Sequence, residues 1–285
     1  MLMSILTIGG DLRYAHMTRL AAAQSMEIAA VGLEACPFSL PCAPPEEIAR
    51  AKALILPNPF RGGLCLPFSA QPLELNDVLS AAGRGALILL SDAAGMPPAL
   101  KSDRVIDLSA DPEFVLRNAH LTAEGALSAA SLASERSLSG SMCLVIGYGR
   151  IGRRLSQLLH SLGADAAAAA RRAPVRETIR QDGISAFSMD ELPALLPRAH
   201  FIFNTAPALV LPEPLLRLIR PDAHLMDLAS PPYGFDLSLA RGLSLSAVRE
   251  NGLPGRYCPL SAGEALLDAV KRALNAHFEG GSACI

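Results

Sequence analysis

The most informative segment of this chain reads Cys143-Leu144-Val145-Ile146-Gly147-Tyr148-Gly149-Arg150-Ile151-Gly152. Its four leading apolar residues predict a buried strand, and a G-x-G-x-x-G spacing follows at the start of a helical pattern. Gly147 permits a tight turn, Gly149 leaves room for a diphosphate beside the backbone, and Gly152 lets helix and strand pack closely. The helix N-terminus offers free N–H groups and positive charge to phosphate. We predict a dinucleotide site that uses all six residues from 147 to 152; the alternative is a glycine-rich turn without a ligand.

The end of the next predicted strand indicates which dinucleotide binds. This strand covers residues 165–170 and leads into Arg171 and Arg172. NAD sites of this type carry an Asp or Glu here, which accepts hydrogen bonds from the ribose 2′-hydroxyl. Guanidinium groups instead pair with a 2′-phosphate in charge-assisted bonds. The pattern therefore favours NADP over NAD; the alternative is a solvated arginine pair at a strand end.

Two later strands also end in small and polar residues. They lead into Asn204-Thr205-Ala206-Pro207 and Asp227-Leu228-Ala229-Ser230. Because ligands of doubly wound sheets bind outside the carboxyl ends of the strands, we expect both segments to border the cofactor. The alternative for each is an ordinary turn. The residues assigned to the cofactor here are Asn204, Thr205, Ala206, Asp227 and Ala229.

Apolar runs alternate with helical periods along the chain, which is typical of parallel sheets with crossover helices. A length of 285 residues suggests two domains. We predict an α/β fold with two doubly wound, Rossmann-like parallel-sheet domains joined by a long helix over residues 121–135. The predicted parts are an N-terminal substrate domain at 1–118, an NADP-binding domain with the linking helix at 119–261, and a C-terminal helix at 262–285 that returns to the first domain.

Composition excludes several classes of protein. The 25 Lys and Arg residues nearly balance the 27 Asp and Glu residues, which argues against a nucleic-acid binder. No apolar run reaches the ~18 residues of a membrane span, and the N-terminus does not resemble a signal peptide. The six scattered Cys residues predict reduced, mostly buried thiols in a cytoplasmic protein, and the six His residues have no metal-binding spacing.

Over nearly its whole length the chain resembles the dipicolinate synthase A-subunit family of spore-forming bacteria. This resemblance implies a cytoplasmic sporulation enzyme that oxidises a dihydrodipicolinate-type ring to dipicolinate and passes a hydride to NADP. It also implies that the partner is a flavoprotein-like B-subunit. The segments that carry it are Gly9-Gly10-Asp11 with Arg13, Thr122-Ala123-Glu124-Gly125-Ala126, residues 147–152, Asn204-Thr205 with Pro207, Asp227-Leu228-Ala229-Ser230, and Gly252-Leu253-Pro254-Gly255 followed by Pro259 and Ala262-Gly263.

The chain departs from the family pattern at two cationic positions. After Ser230 the family has an Arg and then two glycines, whereas this chain has Pro231-Pro232-Tyr233-Gly234. Near the end the family has Pro-Lys-Thr-Ala-Gly, whereas here Leu260 replaces the Lys. Two alternatives therefore stay open: a non-catalytic NADPH-binding protein, and a dehydrogenase that acts on a different small carboxylate.

Three residues are predicted to be catalytic: Arg13, Glu124 and Ser230. A dicarboxylate substrate requires cations, and Arg13 is the first candidate, ahead of Arg61 and Arg256. Aromatisation also requires a base, which we assign to Glu124 near the start of the linking helix. The alternatives are a surface arginine and a first-turn Glu that the helix dipole favours. Apolar faces on the linking and final helices predict a homodimer.

Overall fold

The computed structural model describes residues 4–57, 64–91 and 104–280, with side chains up to residue 278. The chain divides into two compact units. The first comprises residues 1–118 and 254–285, and the second comprises residues 119–253.

Eleven strands and ten α-helices lie in the described residues. The strands are β1 (Ile5–Ile8), β2 (Ile28–Val31), β3 (Ala53–Ile55), β4 (Leu87–Leu90), β5 (Val105–Asp107), β6 (Met142–Ile146), β7 (Asp165–Ala169), β8 (Ser185–Phe187), β9 (Phe201–Asn204), β10 (His224–Asp227) and β11 (Ser246–Arg249). The helices are α1 (Leu12–Ala23), α2 (Leu75–Ala81), α3 (Pro112–Ala133), α4 (Arg150–Ser161), α5 (Ala173–Gln181), α6 (Leu192–Leu195), α7 (Glu213–Leu216), α8 (Leu237–Gly242), α9 (Leu253–Tyr257) and α10 (Pro259–Gly280).

Each unit contains one parallel sheet. The first unit has the order β2-β1-β3-β4-β5, and the second has the order β11-β10-β9-β6-β7-β8. Every pair of neighbouring strands runs parallel. These are the two common doubly wound arrangements, in which the strand order reverses beside the first strand of the unit. The structure therefore confirms the predicted fold class of two Rossmann-like parallel sheets.

The long helix begins earlier than the sequence analysis predicted. It starts at Pro112 and not near residue 121. Asp111 caps it, because its Oδ1 accepts from the backbone N–H groups of Glu113 at 2.9 Å and Phe114 at 3.1 Å. An Asp cap followed by Pro in the first turn is a strong helix start. Glu124 consequently lies in the middle of α3, which corrects its predicted place near the helix start.

The core of the first unit has one layer in which α10 packs against α1. Ala265, Leu266, Ala269 and Val270 of α10 are buried in the same cluster as Tyr14 and Met17 of α1. Gly263 permits this close approach, since a Cβ there would lie only 2.8 Å from the carbonyl oxygen of Arg13. Within the described residues, no helix combines the length and apolar character needed to cross a bilayer.

The prediction of mostly buried thiols is wrong. Among the five described cysteines only Cys143 is buried; Cys42 is exposed, and Cys36, Cys65 and Cys258 are partly buried. Cys143 lies in the central strand β6, whereas the other four lie in connections between elements, which run over the surface. The remaining one, Cys284, lies outside the described residues.

Candidate dinucleotide site

The glycine turn after β6 has the geometry that its spacing suggests. Gly147 has a φ of 97°, and a Cβ there would lie 2.6 Å from the hydroxyl oxygen of Thr205. A Cβ on Gly152 would overlap the carbonyl oxygen of Gly147. In contrast, a Cβ on Gly149 would meet no atom within 4 Å from other parts of the described chain. Two of the glycines are therefore required by the protein's own packing, and Gly149 faces open space at the N-terminus of α4.

A groove of about 600 Å³ lies beside this turn, at the carboxyl ends of β6, β7 and β9. Its wall brings together residues that are far apart in the sequence. From the predicted cofactor set it includes Gly147, Tyr148, Gly149, Arg171, Arg172, Thr205 and Ala206. The wall does not include Arg150, Ile151, Gly152, Asn204, Asp227 or Ala229.

Asn204 and Asp227 form a buried pair at the ends of β9 and β10. Both are fully buried, and Asn204 Nδ2 donates to Asp227 Oδ1 at 2.8 Å. Asn204 also exchanges hydrogen bonds with the backbone of Ala206, at 3.0 and 3.1 Å. Asp227 accepts from the N–H groups of Ala229 at 3.2 Å and Gly234 at 2.9 Å. The pair therefore fixes the loops after β9 and β10, and neither residue lines the groove.

Tyr148 is held in place by a residue that the sequence analysis did not identify. Its hydroxyl donates to Asp182 Oδ2 at 2.8 Å, and Arg153 binds the same carboxylate with Nε at 2.8 Å and Nη2 at 2.9 Å. Burial and the Asp182 hydrogen bond raise the pKa of Tyr148 well above its ordinary value. The hydroxyl therefore stays protonated, and the ring is fixed on the groove wall. The sequence offers no local signal for this contact, since 34 positions separate Tyr148 from Asp182.

Arg171 and Arg172 lie in the short connection after β7, separated from the strand by Ala170, and Arg172 is the N-cap of α5. Both side chains are exposed on the groove wall. Within the described parts of the chain, no carboxylate lies at ion-pair distance from either guanidinium. This end of the groove therefore carries positive charge that no carboxylate of the described residues pairs with.

In the first unit, Arg13 is not the surface arginine of the alternative interpretation. Its side chain is 13% exposed, and its Nε and Nη2 bind Asp11 at 2.9 and 2.8 Å. Gly255 packs on this ion pair, because a Cβ there would lie 2.9 Å from Arg13 Nε. Arg13 also lines a cavity of about 220 Å³, whose polar residues include Ser91 and Asn118. Arg13 therefore presents a sheltered cation beside a small cavity.

Three other predicted substrate and catalytic residues, Glu124, Ser230 and Arg256, do not line either of these two cavities. Glu124 and Ser230 are both exposed, Glu124 on α3 and Ser230 after β10. Arg256 is exposed on α9. Arg61 lies outside the described residues.

The loop that replaces the family's Arg-Gly-Gly segment has a cation beside it. The Arg249 guanidinium, from the end of β11, lies 3.5 Å from the ring centroid of Tyr233. Arg249 Nη2 also donates to the carbonyl oxygen of Phe235 at 3.3 Å. The sequence analysis missed this residue, because only the pairing of β10 with β11 brings it to the loop.

Comparisons with known proteins agree with this architecture. Residues 115–226 match the family model "D-isomer specific 2-hydroxyacid dehydrogenase, NAD binding domain". The A-subunit of dipicolinate synthase from Bacillus subtilis (strain 168) is 28% identical over 171 residues, which are 60% of this chain and 58% of that relative. The aligned region thus spans less than two thirds of the relative.

Solved structures match over greater lengths. The structure of the dipicolinate synthase A-subunit from Bacillus halodurans has a TM-score of 0.83 at 23% identity and covers 94% of this chain and 96% of its own. The corresponding dipicolinate synthase structure from Bacillus subtilis has a TM-score of 0.79 at 24% identity and covers 99% and 98%. D-lactate dehydrogenase from Salmonella has a TM-score of 0.59 at 12% identity and covers 94% and 96%. Over residues 115–226 the chain is thus similar to the NAD-binding domains of dehydrogenases, and the comparisons confirm its resemblance to the dipicolinate synthase A-subunit family.

Proposed function

We propose that this chain is an NADP-dependent oxidoreductase that oxidises a dihydrodipicolinate-type cyclic dicarboxylate to dipicolinate. One observation carries the choice of cofactor. Arg171 and Arg172 occupy the end of β7 on the groove wall, where an NAD site presents a carboxylate. An NAD ribose would find two cations there and no acidic acceptor. A 2′-phosphate would instead find charge-assisted donors.

Other groove residues would bind the remaining parts of the cofactor. Gly147 and Gly149 give the diphosphate access to the backbone at the N-terminus of α4. Val175 and Met189 add apolar surface on the groove wall beside the arginines, which suits an adenine ring. Tyr148 is fixed by Asp182 and keeps the wall rigid. When bound, NADP supplies the hydride acceptor, and the protein supplies binding and orientation.

For the substrate, we propose the cavity of the first unit that Arg13 lines. Its volume of about 220 Å³ suits a single small ring with its carboxylates. Arg13 provides the cation, and Ser91 and Asn118 provide polar groups on the same wall. Asp11 orients the guanidinium by binding its Nε and Nη2 edge. Glu124 as base and Ser230 as a further catalytic residue stay predictions, and so do a flavoprotein-like partner protein and a homodimer.

One specific observation favours two alternative functions. Pro231 and Leu260 stand where the family has cations, so a substrate carboxylate would lose two partners. This favours either a non-catalytic NADPH-binding protein or a dehydrogenase for another small carboxylate. An assay of NADP reduction distinguishes these functions. We expect NADP reduction when purified protein, with and without a candidate partner protein, is given dihydrodipicolinate. NADPH binding without turnover would favour the non-catalytic protein, and turnover of another cyclic imino acid alone would favour the different dehydrogenase.

A further inference from the structure

The turn that carries Arg171 and Arg172 is held by a third arginine. Arg176, one turn into α5, donates from Nη1 to the carbonyl oxygens of Ala170 at 3.0 Å and Arg171 at 2.7 Å. Both carbonyls belong to the connection between β7 and α5. Arg176 is partly buried and does not line the groove.

The rest of this connection is also fixed by backbone hydrogen bonds. The N–H of Ala170 donates to the carbonyl oxygen of Phe187, in the neighbouring strand β8, at 3.0 Å. The carbonyl oxygen of Arg172 accepts from Val175 N–H at 3.1 Å and Arg176 N–H at 3.2 Å, in the first turn of α5. The carbonyls of Ala170 and Arg171 are the two that depend on the Arg176 side chain. Removing that side chain would therefore loosen the segment from which the two groove arginines project.

We propose that Arg176 is a positioning residue for cofactor specificity. It fixes the backbone of Arg171 and Arg172, so that two long side chains reach a 2′-phosphate with less loss of conformational freedom on binding. This inference rests on the proposed preference for NADP. Because NADH carries no 2′-phosphate, its binding gains nothing from the arrangement. Arg176 should therefore affect the ratio of the two affinities and not both of them equally.

The test measures dissociation constants of NADPH and NADH for the wild type, Arg176→Ala and Arg176→Lys. Arg180→Ala is the matched control, because Arg180 lies on the same exposed helix and pairs with Glu177 outside the connection. We expect Arg176→Ala to weaken NADPH about tenfold and to change NADH less than about twofold. Lys keeps the charge and the donors, so Arg176→Lys should retain most of the preference. Arg180→Ala should behave like the wild type.

The outcomes separate this inference from the proposed function. If the wild type does not prefer NADPH, both are overturned. If the wild type prefers NADPH but Arg176→Ala weakens both cofactors equally, or weakens neither, the positioning role alone is overturned. If Arg176→Ala does not fold, the NADPH and NADH dissociation constants are measured for Arg176→Gln instead. Titration with 2′,5′-ADP and with 5′-AMP gives an independent readout, in which only 2′,5′-ADP should lose affinity.

Discussion

Replacing Gly149 with alanine should abolish tight cofactor binding and leave the fold intact. Gly149 caps α4 with a φ of −79°, and a Cβ there would meet no atom within 4 Å from other described segments of the chain. The folded chain can accept a methyl group there at a cost of about 1 kcal/mol or less, because alanine is a poorer N-cap than glycine. The same methyl group would stand where the diphosphate is proposed to meet the backbone.

The expected loss of affinity follows from the hydrogen bonds at that backbone. A hydrogen bond to a charged group contributes about 1.5–3 kcal/mol. Displacing the diphosphate from one or two N–H groups should cost about 3 kcal/mol, or about a hundredfold in Kd. Fluorescence titration with NADPH measures the affinity, and urea unfolding measures the stability of the same preparation.

Two other glycines serve as controls. Gly242 ends α8, and a Cβ there would meet no atom within 4 Å elsewhere in the described residues, so Gly242→Ala should change neither affinity nor fold. Gly152→Ala should lower the free energy of unfolding by about 1–3 kcal/mol, because its Cβ would overlap the Gly147 carbonyl oxygen. The reasoning is refuted if Gly149→Ala binds NADPH as tightly as the wild type, or if it unfolds as readily as Gly152→Ala.

Three further substitutions test other contacts. Arg13→Lys loses the two-atom contact with Asp11 and should raise the KM for a dicarboxylate substrate about tenfold. The Kd for NADPH should not change. An unchanged KM in steady-state assays would show that Arg13 does not bind the substrate. Tyr148→Phe loses the hydroxyl donor to Asp182 and should lower the free energy of unfolding in urea by about 1 kcal/mol; no change would mean that the hydroxyl contributes nothing. The pKa of Asp182 lies below its ordinary value, mainly because Arg153 binds the carboxylate and also because Tyr148 and Gln157 donate to it. The ionised carboxylate therefore stabilises the fold above a pH of about 4, and this stabilisation is lost as the pH falls through the lowered pKa. Asp182→Asn should therefore lose less stability than the wild type between about pH 7 and pH 3, and parallel pH profiles of the two proteins would contradict this.

Local patterns in the sequence were sufficient for the parallel sheets and the glycine turn. A buried strand that runs into G-x-G-x-x-G leaves few alternatives, since Gly147 and Gly152 have no room for a side chain. The sequence-based prediction starts α3 too late, because it rests on the small-residue pattern further along and not on the local helix-start signal Asp111-Pro112. Helix α5, which adds Val175 to the groove wall beside the arginines, and strand β8 are also absent from the sequence-based prediction.

The side-chain directions at the strand ends could not be predicted. The sequence analysis assigns Asn204 and Asp227 to the cofactor; in the structure they lie opposite one another in the register of β9 and β10 and bind each other. Polar residues at a strand end can turn toward the groove or toward the next strand, and sequence spacing does not distinguish these cases. The contacts of Tyr148 with Asp182 and of Arg249 with Tyr233 likewise depend on packing between distant segments.

Calorimetric titration of the wild-type protein with NADPH and with NADH, in one buffer at one salt concentration, tests the central claim most directly. The exposed arginines at the end of β7 predict that NADPH binds at least about tenfold more tightly than NADH. Equal or tighter binding of NADH, or no heat with either cofactor from folded protein, would contradict the account.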